Sequence, residues 1–158
     1  MSKPRKRSIA VAGGIVEIET PNGLAYAQFT HRHPEYGELI RVFSGVHDQR
    51  PEDFSEIVTA EEQFMAFILL DAAVRAGLLA IVDREEIPES KRAFPTFRSN
   101  AFRKLNEVTK NWWLWDGEQS WFVGELTDEQ RHFPILEIAN TAAIVIRLTK
   151  GWHPEMFP

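Results

Sequence analysis

"GIVEIETPNGLAYAQFTHRHPEYGELIRVFSG" (residues 14–45) decides the fold class. Asn22-Gly23 is a strong hairpin signal, because both residues tolerate the positive φ of a tight turn. Taking those two as the turn and pairing outward sets Glu19 opposite Tyr26, Ile18 opposite Ala27 and Val16 opposite Phe29. Val16, Ile18, Ala25, Ala27 and Phe29 then share one face. Glu17, Glu19, Tyr26, Gln28 and Thr30 share the other, and a slip of one residue would mix the two sets. Pro34 stops the second strand, since it has no N–H for a ladder. "PEYG" makes the next turn and "ELIRVFSG" (38–45) the third strand. Three strands joined by short turns form an antiparallel meander.

Working outward, residues 46–58 predict a short helical turn with Pro51 at its first position. "TAEEQFMAFILLDAAVRAG" (59–77) reads two ways. The apolar run "FMAFILL" favours a strand at 62–70, then a helix from Asp71 to Ala76 stopped by Gly77. A single helix over 60–76, capped by Thr59 with Glu62, competes with it. Residues 78–83 predict a strand, and "FPTFRSN" is extended. "AFRKLNEVTKN" (101–111) reads as a loop. "WWLWDGEQSWFVGEL" (112–126) is a second hairpin turning at Asp116-Gly117. A two-residue turn sets Trp112 opposite Trp121, and a four-residue turn sets Trp113 opposite Phe122. "TDEQRHFP" predicts a helical turn capped by Thr127. Residues 140–151 predict a helix between an Asn140 or Thr141 cap and Gly151, with a strand through Ile144-Val145-Ile146 as its rival.

The sum is an α+β, mostly β chain: a small SH3-like barrel or strongly curled antiparallel sheet with two or three short helices. Residues 1–12 read as a basic flexible tail and 13–158 as one β-rich domain.

Composition narrows the chemistry. The 158 residues hold no cysteine, which excludes thiolate metal sites and a cysteine nucleophile and fits a cytoplasmic protein. Lys3, Arg5, Lys6 and Arg7 are a basic start. Setting them aside leaves 14 basic against 23 acidic side chains, a net −9. An acidic body does not suit nucleic acid, whose phosphates need clustered cations. No apolar run approaches the ~20 residues of a membrane helix, and the short "SIAVAGG" does not make an export signal. No nucleophile elbow, phosphate loop or HExxH motif occurs. Glu61-Glu62 and Glu85-Glu86 read as solvated surface. No cofactor is expected.

Two constellations remain. His31 and His33 alternate with Arg32, so both imidazoles leave one face of a strand, on the continuation of the apolar face. They read first as one histidine hydrogen-bonded through its ring at a barrel rim and the other near solvent; in a binding role they would line the barrel mouth with Tyr36 and Arg41. A metal would need a third ligand, and His47, His132 and His153 form no second motif. Trp112, Trp113, Trp115 and Trp121 are the other set. Because side chains alternate along a strand, Trp112 and Trp113 cannot share a core layer. At least one face of that hairpin is covered by another element or offered to a partner.

The stretch "GGIVEIETPNGLAYAQFTHRHPEYGELIRVFSG" (13–45), with "WWLWDGEQSWFVGEL", resembles small bacterial proteins similar to the immunity protein 26 family. The resemblance covers about half the chain. It implies a cytoplasmic protein that binds and neutralises a toxin without catalysis, and it carries no residue roles. The expectation is therefore a protein-binding domain. The alternative is a metal-dependent or small-molecule enzyme centred on His31 and His33.

Overall fold

The computed structural model describes residues 9–100 and 110–157. Its strands and helices run β1 (Gly14–Thr20), β2 (Gly23–His33), β3 (Gly37–Val42), β4 (Phe64–Ile68), α1 (Leu70–Arg75), β5 (Ala80–Arg84), β6 (Phe97–Ser99), β7 (Trp112–Trp115), β8 (Ser120–Gly124), β9 (Ile138–Ala139) and α2 (Thr141–Lys150). The expected mostly β architecture is present. The larger sheet has the order β5-β1-β2-β3-β4-β9, and a smaller one the order β6-β7-β8. The larger sheet ends at β5 and β9. Of the two forms expected, a small barrel or a curled sheet, it is the open sheet, because no pairing among the described residues joins those edges.

The first hairpin turns at Pro21-Asn22, one residue earlier than expected. Thr20 pairs with Gly23, Ile18 with Ala25 and Val16 with Ala27. The Thr20 hydroxyl accepts from the Asn22 N–H and donates to the Gly23 carbonyl, which closes the turn. Gly23 has φ +141°, and a Cβ there would lie 2.9 Å from the His47 carbonyl oxygen. The register is thus two residues from the expected one. A shift of two preserves both faces, so Val16, Ile18, Ala25, Ala27 and Phe29 do share one core cluster.

That cluster is covered by α1 and α2 through Val74, Ile144, Val145 and Leu148. The opposite face is covered as well. Tyr26, Gln28 and Thr30 are buried there. Phe54 and Val58, on the connection between β3 and β4, cover one half. Phe97 and Trp115 of the smaller sheet cover the other. The larger sheet is therefore the middle of three layers.

In 59–77 the strand and helix are formed and the single long helix is not, because β4 is hydrogen-bonded between β3 and β9. Gly77, at φ +74°, stops α1. The helical turn expected at Pro51 lies later, as a 3₁₀ turn at Ile57–Thr59. The Thr127 turn forms, with Thr127 Oγ1 accepting from the Gln130 N–H and Gln130 Oε1 from the Thr127 N–H. The terminal helix also forms. Asn140 Oδ1 caps it at 2.8 Å from the Ala143 nitrogen, and Gly151 ends it in the left-handed region. Residues 134–139 tie the two sheets together. The Arg98 N–H donates to the Pro134 carbonyl and the Leu136 N–H to the Arg98 carbonyl, after which Ile138 pairs with Phe67. Ala10 is buried in the main cluster, and the Ile9 and Ala10 N–H groups donate to Asp71, so the folded body includes residues before Gly13. Most of the loop expected at 101–111 lies outside the described residues. Among those described, no helix is long and apolar enough to cross a membrane.

Candidate interaction surface

Each of the eight expected site residues has a definite place. His31 and His33 do leave one face of β2, but not the face that carries Phe29. Phe29 pairs with Ile40 and His31 with Leu39, so Thr30 is an extra residue in β2. That bulge turns the following side chains over. His33 consequently points at the smaller sheet and His31 at the segment that leads into it.

His31 Nε2 lies 2.8 Å from the Arg92 carbonyl oxygen and Nδ1 2.9 Å from the Thr30 hydroxyl. His33 Nδ1 accepts from the Glu35 N–H at 3.1 Å, so its proton is on Nε2, 3.0 Å from the Gly117 carbonyl oxygen. Both nitrogens of both rings are engaged with protein atoms. A metal would have to displace those bonds, and among the described residues no three acidic or histidine side chains are grouped to hold one. His33 instead packs at 4.9 Å from the Trp115 ring centroid and 5.4 Å from that of Tyr36.

Arg41 does not join them at a mouth. It is buried, stacked over Phe43. It donates to the Val58 and Ala60 carbonyls, each at 2.8 Å, to Gln28 Oε1 and to Glu62 Oε2. Its role is to hold the connection between β3 and β4 against the sheet. Glu62 was expected on the solvated surface but is largely covered, paired with Arg41 and Lys91. Burial disfavours the Lys91 ammonium, yet its bonds to Glu62 and Glu61 outweigh that and hold its pKa above the ordinary value. A cleft of ≈ 220 Å³ beside them is also lined by His132, His153 and Glu155. Its Glu61 and Glu62 carboxylates are already neutralised by these cations.

The tryptophan hairpin divides as alternation requires. Trp112 is 2% exposed and stacks beneath the Arg98 guanidinium, while Trp113 is 45% exposed. Leu114 packs with Trp112, and Trp115 with Phe97 and Phe67. The pairing is Trp113 with Phe122 and Leu114 with Trp121, which is the four-residue-turn alternative. The Trp113 and Phe122 rings meet edge to face at 5.6 Å, and Phe122 is 55% exposed. Trp121 is 41% exposed on the reverse face. Phe122 was missed as a site residue, although its position opposite Trp113 was the signal for it. Three large aromatic side chains of one short hairpin are thus open to solvent, an arrangement typical of binding surfaces. Compared with family models, curated proteins and solved structures, the chain shows no significant match.

Proposed function

We propose that this protein is a non-catalytic binding domain that docks on another protein through its tryptophan hairpin, as an immunity-type protein docks on a toxin. The observation that carries the reading is the solvent-exposed Trp113–Phe122 pair. Aromatic side chains provide much of the energy of protein interfaces, because each buries a large area at little entropy cost. The hairpin is also held in place by its other side chains. Trp112, Leu114 and Trp115 are anchored in two clusters, so the exposed rings are presented on a rigid support. The net charge of −5 favours a basic partner, such as an enzyme that itself binds nucleic acid. A cytoplasmic setting goes with this reading.

The test is a photo-crosslinking amino acid placed at Phe122 in the full chain, with Glu19 on the first hairpin as the control position. The expected result in the native host is one discrete protein adduct from position 122, absent from position 19 and lost when Trp113→Ala is added. Adducts from position 19 with none from 122 would overturn the proposal.

A further inference from the structure

Among the described residues, the smaller sheet has one edge covered and one edge open. Beyond β6 lie residues 134–136, bonded to Arg98 on both of its backbone groups. β8 pairs only with β7 among the described residues. The phase of its backbone follows from the turn. The Asp116 N–H donates to the Gln119 carbonyl, and bonded and non-bonded pairs alternate in an antiparallel ladder. Leu114–Trp121 is therefore a bonded pair, and Trp113–Phe122 and Trp115–Ser120 are not. The N–H and C=O groups of Ser120 and Phe122 point away from β7, and no strand among the described residues pairs with them. Trp112 pairs with Gly124 and Trp113 with Phe122, so Val123 is the extra residue of a bulge that bounds this edge.

Charge selects what can occupy it. Residues 116–129 hold five carboxylates, Asp116, Glu118, Glu125, Asp128 and Glu129, and no lysine or arginine. All five residues are exposed, on both sides of Ser120–Phe122 in sequence. The nearest cations along the chain are Lys110 and Arg131. The Gln119 and Glu118 N–H groups bond Asp116 and hold its carboxyl below the usual carboxylate range. An exposed apolar edge usually invites pairing with a second copy. Here a second copy would bring its own acidic flanks against these.

We infer that the open edge of β8 adds an extended strand from the partner, one with an apolar centre and lysine or arginine at its ends. The inference rests on the hairpin being the binding surface, and it specifies how the partner docks. Main-chain bonds to Ser120 and Phe122 would give register. Phe122 and Trp121 would hold the incoming side chains on the two faces, and the acidic flanks would pair with the basic ends.

The test uses the full chain and a fluorescein-labelled peptide of three valines alternating with two threonines, with two lysines at each end. Anisotropy should show saturable binding, absent when glutamates replace the lysines. N-methylation of the valine amides in one peptide, and of the threonine amides in another, blocks the two edges of the strand separately. One of these should weaken binding about tenfold or more, and the other should not. Ser120→Pro removes an outward N–H without breaking a bond to β7, and should weaken binding to a similar degree at unchanged urea stability. Equal binding by both methylated peptides would overturn strand addition, and so would no binding of the basic peptide. An adduct from position 122 would still uphold the binding surface in either case, so the two proposals fail separately.

Discussion

His33 donates its Nε2–H to the Gly117 carbonyl at 3.0 Å, joining the exit of β2 to the turn between β7 and β8. The Glu35 N–H occupies the other nitrogen and fixes the tautomer that makes this possible. Gly117 has φ +100°, and a Cβ on it would lie 2.9 Å from the Phe94 ring. The tie therefore requires the histidine and the glycine together, and it sets where the tryptophan hairpin stands on the larger sheet.

His33→Ala should lose about 2–3 kcal/mol of stability in urea unfolding, from the lost bond and the lost ring packing. His33→Phe keeps the ring and should lose about half as much. Equal stability of His33→Ala and wild type would show that the two sheets are held without this residue.

The tryptophans of the hairpin should separate by role. Trp115→Ala removes a ring packed among Phe67, Phe94 and Phe97, and should cost about 3–5 kcal/mol. Trp113→Ala should cost no more than about 1 kcal/mol, because that ring is nearly half exposed. Thermal and urea unfolding of the two variants check this. A Trp113→Ala loss as large as that of Trp115→Ala would mean that Trp113 serves the fold.

Arg41→Ala should be among the most damaging polar substitutions, at about 3–5 kcal/mol. It strips the Val58 and Ala60 carbonyls and Gln28 of a donor, and leaves Glu62 with Lys91 alone. Arg41→Lys restores the charge but not the planar fork, so it should recover only part. Urea midpoints for both variants decide it. A loss below about 1 kcal/mol for Arg41→Ala would refute the bracing role.

Glu17, Tyr26 and Arg50 make stability fall at both ends of the pH scale. The Arg50 guanidinium, 2.7 Å from Glu17, holds the Glu17 carboxyl below the usual carboxylate range despite partial burial. A depressed carboxyl stabilises the fold above its unfolded pKa of about 4.5. That contribution is lost as pH falls through the lower folded value. Burial, with the Glu17 carboxylate as acceptor, pushes the Tyr26 phenol up to about 12. Its contribution is full below the ordinary value near 10 and is lost as pH rises from there through about 12. Unfolding midpoints followed against pH should show Glu17→Gln flattening the acid limb below about 4.5. An acid limb unchanged in Glu17→Gln would assign it to other carboxylates.

Local chemistry was legible in the sequence wherever it involved neighbours along the chain. Asn140 and Gly151 mark the ends of α2, Asp116-Gly117 marks the second turn, and alternation alone separates Trp112 from Trp113. The faces of β1 and β2 were legible for the same reason, since the side-chain period is two. Their register was not, because a shift of two leaves every face unchanged. The Thr20 bonds across the turn and the Leu24–His47 bridge belong to the pairing that forms. Burial of Tyr26, Gln28 and Thr30 was beyond reach as well. The residues that cover that face, Phe54 and Val58 on one half and Phe97 and Trp115 on the other, come much later in the chain. The histidines show the limit most directly. Their spacing put them on one face, and it did, but a single extra residue at Thr30 chose which face. Tertiary packing decided that, because the bulge turns both rings toward partners at Arg92 and Gly117, some sixty and eighty residues away in sequence.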